Sequence, residues 1–297
     1  MRITFNSQYR DAMAGIADAA RRLVAAQRQV ASGRRVNKPS DDPSAASRGV
    51  AERAQLAATA QYARAANSTA SRLKVTDSVL DNVIATLTTI QRTALTGMGS
   101  TKSAAEREAA AQQIEGLRTS LLSDFNATFH GTYMFAGAAA TTKPFVETAG
   151  VVGPYAGSTT EVSIDISGVR SVAVGFNGDT ITRGSDTADV FAVLTDLATA
   201  LRAGTDAGAT TALEGVTRAF DRATTAQTRV GIALKAIETE EQRLEEVKLA
   251  TGERLSRLED ADMAQAITDM TRADAAYQAA LGATAKAARV SLFDYLG

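Results

Sequence analysis

The sequence predicts a mainly α protein, in which the N- and C-terminal segments form a long coiled-coil helical bundle around a small central β domain. Two observations lead to this fold class. Proline interrupts helices, and the chain has only four prolines, which leaves residues 44–143 and 155–297 free of them. Both ends of the chain space their apolar residues three and four positions apart, as amphipathic helices do, whereas the centre is rich in glycine.

The first predicted helix ends at Gly33, because glycine readily adopts the left-handed conformation that terminates helices. Its heptad seam consists of Met13, Ile16, Ala20, Leu23, Gln27 and Val30. After a basic loop, Pro43 suits the first position of the next helix and Asp42 suits its N-cap. Residues 1–42 are therefore interpreted as the N-terminal half of an inner coiled-coil domain.

The second helix is predicted to run from Pro43 to Gly97. Its clearest apolar seam is Leu73, Thr76, Leu80, Val83, Leu87, Ile90 and Ala94. A shorter helix is expected from Ala104 to Thr128, with one face formed by Ile114, Leu117 and Leu121. Residues 43–145 are interpreted as the N-terminal half of a helical rod domain.

The centre of the chain has the pattern of short strands. Two sets of apolar residues alternate with other residues, namely Val162, Ile164 and Ile166, followed by Val172, Val174 and Phe176. The sequence Asn177-Gly178-Asp179 is typical of a turn, because Asn and Gly tolerate positive φ. Residues 146–187 are predicted to form a small variable β domain, which must pack on the helices because so small a sheet is marginal alone.

Helical periodicity returns near Asp189, with breaks expected at Gly204 and Gly208. A long seam follows, formed by Val230, Leu234, Ile237, Glu241, Leu244, Lys248, Thr251, Leu255 and Leu258. A shifted seam continues through Ile267, Met270, Asp274, Tyr277 and Leu281. Residues 188–257 are predicted to complete the helical rod domain, and residues 258–297 to complete the inner coiled coil.

Charge is distributed unevenly along the chain. Residues 1–38 carry eight Arg or Lys against two Asp, and residues 258–297 carry six Asp or Glu against three Arg or Lys. Opposite charges favour two ends that lie side by side. An arginine-rich targeting peptide or a nucleic-acid-binding arm is the alternative, and it is disfavoured because helical periodicity continues through the basic stretch.

Composition limits the chemistry that the chain can perform. There is no cysteine and one histidine, His130, which excludes a thiolate site and a multi-histidine zinc site. The carboxylate pairs Asp41/Asp42 and Asp260/Asp262 are interpreted as capping groups or solvated helix-face residues rather than metal ligands. The sequence contains no run of 18 apolar residues, so it does not predict a membrane span. We therefore expect neither an enzyme nor a cofactor-binding protein, and neither a nucleic acid nor a membrane as a partner.

Several segments carry a resemblance to known proteins. Residues 32–37, Ser-Gly-Arg-Arg-Val-Asn, and residues 258–264, Leu-Glu-Asp-Ala-Asp-Met-Ala, resemble the two ends of bacterial flagellins. Residues 39–47, residues 133–137 with Pro144-Phe145, and the ending at residues 291–296 resemble the hook-associated protein 3 family within the flagellin superfamily. The resemblance covers residues 1–145 and 188–297, and it does not extend to the variable centre.

This resemblance implies a structural role at the junction of the flagellar hook and filament, outside the cell. Such proteins connect an upstream hook-associated protein to flagellin, and they associate with themselves in a ring of about eleven subunits. The resemblance also implies type III export without a cleaved signal peptide and a cytoplasmic export chaperone that engages the C-terminal helical region.

The terminal helices are predicted to supply the assembly interface, because their apolar pattern continues to residues that are usually polar and frayed. The residues assigned to this interface are Met13, Ile16, Leu23, Val30, Ile267, Met270, Tyr277, Leu281, Leu292, Phe293 and Leu296. Alternatives are a filament-forming flagellin, disfavoured by the proline-containing segment 39–43, and a secreted glycan-binding or adhesive factor that uses the centre. A monomeric coiled coil or a signalling helical hairpin would also fit the helical pattern.

Overall fold

A computed structural model describes the backbone of residues 5–99 and 101–296, and the side chains of residues 9–99 and 101–286. The helices are α1 (Phe5–Ser32), α2 (Pro43–Gly97), α3 (Ala104–Phe125), α4 (Gly178–Thr182), α5 (Val190–Ala203), α6 (Asp206–Glu259) and α7 (Met263–Leu296). The strands are β1 (Thr128–Phe129), β2 (Thr132–Tyr133), β3 (Glu147–Thr148), β4 (Val151–Val152), β5 (Val162–Ser167) and β6 (Arg170–Gly175). The predicted mainly α fold is confirmed.

The chain forms two compact units. One consists of Met1–Ala58 with Glu246–Gly297, and the other consists of Thr59–Glu245. The division falls within α2 and α6, so both helices contribute residues to both units. The domain boundaries proposed from the sequence, at residues 42, 145, 187 and 257, do not coincide with the limits of these two units, and they stay predictions.

The terminal unit pairs the two ends of the chain, since α1 and α7 contact each other. Gly33 ends α1 with a φ of +67°, as its position after the seam predicts. The backbone N–H of Ala45 donates to Asp42 Oδ1 at 2.9 Å, which caps the start of α2 at Pro43. Both predicted helix-boundary signals are confirmed.

The larger unit has a continuous core along α2, α3, α5 and α6. All seven predicted seam residues of α2, from Leu73 to Ala94, are buried. Cross-helix hydrogen bonds join α2 to α6 at two levels: Gln91 donates to Thr217 at 3.2 Å, and Gln227 donates to Asp81. The later position in α2 pairs with the earlier position in α6, so the two helices run antiparallel.

An aromatic cluster joins this core to the central segment. Phe125 makes edge-to-face contacts with Phe135, Phe145 and Phe191, with ring centroids 5.4–6.1 Å apart. Phe135 and Phe145 are therefore core residues, and Tyr133 is half-buried. The exposed side chain of His130 stacks on Phe129 in a turn.

Among the described residues, the β structure is three separate antiparallel hairpins rather than one sheet. The predicted strands are confirmed as β5 and β6, but Val162 and Ile164 are exposed, and only Ile166 of that predicted face is buried. The turn between the strands is at residues 168–169. The Asn177 side chain accepts from the Asp179 N–H at 3.0 Å and so caps α4, rather than forming a hairpin turn.

Two predicted helix limits also differ from the structure. The third helix ends at Phe125 instead of Thr128, because Asn126 exchanges side-chain hydrogen bonds of 2.9 and 3.1 Å with the backbone of Phe145. Gly208 lies inside α6, and the break falls at Gly204, whose φ is +69°. A single glycine can remain helical when tertiary packing covers the helix.

The buried seam of α2 predicts a large difference between two leucines of the same helix. We expect Leu87→Ala, at a position 1% exposed, to lower the free energy of unfolding by about 2–5 kcal/mol through cavity formation. Leu95→Ala, at a position 63% exposed, is the matched control and should cost about 0.5 kcal/mol or less. Urea unfolding followed by circular dichroism measures both, and equal losses would contradict the placement of the core.

Candidate assembly interface

The two segments that resemble flagellins lie against each other in the terminal unit. Arg34 and Asp260 form an isolated antiparallel bridge. The Arg35 N–H donates to the Glu259 carbonyl at 2.6 Å, and the Ala261 N–H donates to the Gly33 carbonyl at 2.9 Å. We call this contact, formed by residues 33–36 and 258–261, the terminal clamp.

The Arg35 side chain extends the clamp to a helix end on each side. Its guanidinium donates to the Leu258 carbonyl at 2.9 Å and to Asp42 Oδ2 at 3.1 Å. Leu258 lies in the last turn of α6, where carbonyl groups lack helical partners and attract cations. Arg35 therefore links the end of α6 to the carboxylate that caps α2.

A buried carboxylate lies beneath the clamp. Glu259 is almost fully buried, and its carboxylate lies 2.6 Å from the Arg53 guanidinium and 3.7 Å from that of Arg34. A buried charge is costly unless it is paired, so these two arginines determine whether Glu259 can occupy this position. Gly49 of α2 provides the room, since a Cβ at that position would collide with Glu259 Oε1.

Within the predicted carboxylate pairs, Asp42 and Asp262 cap helix starts. Asp41 instead holds the preceding loop, and Asp260 accepts from the Ser256 hydroxyl. Asp41 accepts from the N–H groups of Lys38 at 2.8 Å and Asn37 at 3.0 Å, and these bonds hold the pKa of its carboxyl below the ordinary value of 3.8. The pKa of Asp42 is also lowered, first by the Ala45 N–H and then by Arg35. Asp262 accepts from the N–H groups of the first turn of α7.

A stripe of buried and half-buried residues runs along each terminal helix. On α1 the stripe is Ala12, Ile16, Ala19, Leu23, Ala26 and Val30. On α7 it is Ala266, Met270, Ala273, Tyr277, Ala280 and Thr284. The three-four spacing and the α1–α7 contact assign these stripes to the pairing of the two helices.

The structure divides the predicted interface residues into three groups. Five lie in the stripes of the helix pair: Ile16, Leu23, Val30, Met270 and Tyr277. Met13, Ile267 and Leu281 are instead 42–49% exposed on the same helices. Leu292, Phe293 and Leu296 lie outside the residues whose side chains the structure describes.

Sequence reasoning placed the α1 seam one residue away at two turns. It included Met13 and Gln27, whereas the structure half-buries or buries Ala12 and Ala26 and exposes Met13 and Gln27. Alanine and methionine both fit an apolar pattern, so the periodicity does not fix the register in an alanine-rich helix. The sequence reasoning also missed Tyr9, Val24 and Met263, which are exposed apolar residues of these helices.

The side chains described in the terminal unit take part in helix packing, helix capping and ion pairs. Its polar groups form caps and ion pairs within the chain, and its free surface offers apolar side chains on two exposed helices. Within the described parts of the chain, none of the helices has the combination of length and apolar character that a membrane span requires.

Family models match both ends of the chain. The bacterial flagellin N-terminal helical region matches residues 3–140, and the bacterial flagellin C-terminal helical region matches residues 213–296. The chain belongs to the flagellin superfamily. The two regions contain the two halves of the terminal clamp, so the contact between them joins the N-terminal and C-terminal flagellin regions.

One curated relative in this superfamily is the flagellar hook-associated protein 3 of Escherichia coli strain K12. It is 32% identical over 182 residues, which are 61% of this chain and 56% of the relative. The matched part thus spans little more than half the length of that relative. The resemblance to the hook-associated protein 3 family, expected from the sequence motifs, is confirmed.

Solved structures share the fold of this flagellin-superfamily chain. Xanthomonas campestris FlgL aligns with a TM-score of 0.62 at 18% identity, covering 68% of this chain and 99% of that one. The flagellar junction protein FlgL from Legionella pneumophila aligns with a TM-score of 0.60 at 14% identity, covering 71% of this chain and 100% of that one. At these identities the likeness concerns the fold alone.

The terminal clamp predicts opposite effects for two glycine substitutions. Gly49→Ala should displace the Glu259 carboxylate from Arg53 and lower stability by about 1–3 kcal/mol, because the buried charge cannot move into solvent. Gly15→Ala in α1 meets no atom within 4 Å and should stabilise its helix by up to about 1 kcal/mol. Hydrogen exchange at the Arg35 and Ala261 amides measures the difference, and equal protection in both variants would refute this role for Glu259.

The capping carboxylates predict a loss of local order in acid. Because the folded-state pKa values of Asp41 and Asp42 are depressed, the stability they contribute is complete above about pH 3.8 and declines as the pH falls through the lower folded values. We expect amide exchange at Lys38 and Ala45 to increase on this acidification, after correction for intrinsic rates. The Asp42→Asn variant should lose the pH dependence at Ala45 only, and a retained dependence there would exclude Asp42 as its source.

Proposed function

We propose that this chain is a structural subunit of the bacterial flagellum, located outside the cell at the junction of hook and filament. It connects an upstream hook-associated protein to flagellin, and it performs no catalysis and needs no cofactor. The observation that carries the proposal is the terminal clamp, which brings the two segments that resemble flagellins together and pairs α1 with α7. The hook-associated and junction-protein names of the relatives support the same position.

The exposed apolar residues of the terminal helices support assembly as the basis of this function. An α1–α7 pair that leaves Met13, Ile267 and Leu281 partly in water gains stability when neighbouring copies cover these side chains. We propose that copies associate in a ring of about eleven subunits through these helices. Leu292, Phe293 and Leu296 are proposed to extend the same surface.

The proposal includes a route out of the cell. The chain is exported through the flagellar type III apparatus without a cleaved signal peptide, and a cytoplasmic chaperone covers its C-terminal helical region before export. Both statements follow from the family resemblance. Such a chaperone would have to keep α1 and α7 apart, because these helices pair in the folded chain.

A filament-forming flagellin is the second candidate, because both matching family models describe flagellin regions. The two functions differ in the number of copies that add to one end. Electron microscopy of purified chain on hook or filament seeds distinguishes them: a junction subunit adds a finite layer, whereas a flagellin grows long filaments.

Deleting the gene in the parent bacterium tests the junction function directly. We expect cells with hooks but without filaments and flagellin released into the medium, because flagellin would lack its attachment layer. Restoring the gene should restore filaments. Normal filaments in the deletion strain would contradict the junction function.

Two isoleucines provide a matched test of the interface. Ile267→Asp should leave a folded chain that fails to remain at hook ends, because a carboxylate cannot be buried unpaired against a neighbouring copy. Ile232 is also exposed but lies on α6, outside the terminal helices, so Ile232→Asp should retain attachment. Immunogold labelling of hooks measures attachment, circular dichroism checks the fold, and equal attachment of both variants would remove Ile267 from the interface.

A further inference from the structure

Asn177 is the only asparagine of the chain that precedes a glycine. Asparagine is a thermolabile residue, because the backbone nitrogen of the following residue can attack its side-chain carbonyl carbon. A following glycine makes this attack easiest, since glycine has no Cβ to hinder the approach. The sequence therefore places a bond that is prone to deamidation in the centre of the chain, between β6 and α4.

The reaction at this bond releases ammonia and needs only water. The Gly178 nitrogen attacks the side-chain carbonyl carbon of Asn177, the bond to the side-chain amide breaks, and the Gly178 proton leaves with that amide as ammonia. The two residues are then joined in a succinimide ring. Water opens the ring at either of its carbonyl carbons. One product is aspartate, and the other is isoaspartate, in which the main chain passes through the former side chain and is one carbon longer.

In the folded chain, the attacking nitrogen is held by a hydrogen bond. The Gly178 N–H donates to the Phe135 carbonyl at 2.9 Å, and Gly178 is buried. Loss of the Gly178 proton would leave a buried anion facing a carbonyl oxygen, and a buried charge without a partner is costly. The first step of the reaction is therefore unfavourable in this structure.

The Asn177 side chain is also held away from the geometry that closes the ring. Its Oδ1 atom accepts from the Asp179 N–H at 3.0 Å, which caps α4. The ψ of Asn177 is 108°, so the Gly178 nitrogen lies on the far side of the Cα–C bond from the Asn177 Cβ. A succinimide ring needs these two atoms on the same side of that bond, so the backbone must rotate before the ring can form.

This rotation is opposed by the backbone pairing next to Asn177. The Phe176 N–H donates to the Met134 carbonyl at 3.2 Å, and the Phe176 carbonyl accepts from the Gly137 N–H at 3.1 Å. Phe135 lies in the same paired segment and is a fully buried member of the aromatic cluster. Rotation at Asn177 therefore requires this part of the core to open.

We propose that Asn177 is a site of spontaneous deamidation and isoaspartate formation, which is closed in the folded chain and open in the unfolded chain. The reaction depends on folding alone, so the inference does not rest on the junction function, and its test uses the purified chain. A chain that waits unfolded for export would age at this position. That consequence alone rests on the export route proposed above.

Isoaspartate at position 177 is incompatible with the pairing of this segment. The extra carbon lengthens the main chain between the hydrogen bonds of Phe176 and Gly178. The surroundings have no room for it, since a Cβ added to Gly178 would lie 2.8 Å from the Phe135 carbonyl oxygen. Chains that contain isoaspartate are therefore expected to refold without the bond between Gly178 and Phe135.

Incubation of the purified chain in buffer and in guanidinium chloride, at the same pH and temperature, tests the proposal. Trypsin releases peptides 171–183 and 65–72, which contain Asn177 and Asn67 as their only asparagines, and mass spectrometry measures deamidation of each. We expect Asn177 to react at least about tenfold more slowly in the folded chain, because an opening free energy of about 1.4 kcal/mol already gives this factor. In the unfolded chain, Asn177 should react faster than Asn67, which precedes a serine.

Two outcomes of this comparison would overturn the inference. Equal rates at Asn177 in the folded and unfolded chains would show that the fold does not close the site. Deamidation of Asn67 at least as fast as that of Asn177 in the unfolded chain would show that the following glycine does not select Asn177.

Asn177→Ser is the matched variant for the effect on refolding, because serine can cap a helix but has no amide to lose. Both chains are held unfolded for the same time and returned to buffer, and limited proteolysis of residues 134–178 measures the refolded fraction. The natural chain should lose protection in proportion to its isoaspartate content, whereas the variant should refold as fully as a fresh sample of itself. Full protection of natural chains that contain isoaspartate would exclude the effect on refolding.

Discussion

Each long helix of this chain needs a partner from a distant part of the sequence. Alanine-rich helices form readily but bury little area, so their stability comes from packing rather than from intrinsic propensity. The α2 seam meets this requirement with buried Leu, Val and Ile side chains, whereas α1 and α7 meet it largely with alanine. The α1–α7 pair therefore has less apolar burial than the core of the larger unit.

The terminal clamp compensates for this weak packing with polar contacts. Backbone hydrogen bonds hold residues 33–36 against residues 258–261, and the buried Glu259 carboxylate adds an ion pair whose geometry depends on Gly49 and Arg53. Breaking a buried pair is costly because one charge remains without a partner. The clamp thus fixes the position of α1 relative to α7, while the alanines in the two stripes allow these helices to approach closely.

The sequence was sufficient to predict features set by local chemistry. Pro43, Asp42 and Gly33 act through backbone conformation and capping, and the structure places the helix ends where they predict. The leucine-rich α2 seam was also predicted correctly, because large apolar residues leave little doubt about the buried face.

Features set by tertiary contacts could not be predicted in this way. The hairpins β1–β2 and β3–β4 have two-residue strands and no periodicity of their own. The end of α3 is set by Asn126 and the distant backbone of Phe145. The burial of Glu259 depends on Arg34 and on Gly49 and Arg53 of α2, and a charged residue in a sequence gives no sign of such surroundings. The register of α1 was ambiguous at its start because the neighbouring residues Ala12 and Met13 are both apolar.

The sequence separation across the clamp has a consequence for the folding of the chain. The bond from Arg35 to the Leu258 carbonyl spans 223 residues, so almost the whole chain must be present before it can form. Closing so long a loop costs entropy before any contact repays it, and topologies rich in distant contacts fold slowly. During synthesis, the first helix and the start of the second therefore have no native partner until the last helices emerge. We therefore expect the terminal unit to become structured last, and a full-length chain that is held unfolded exposes both of its ends at once.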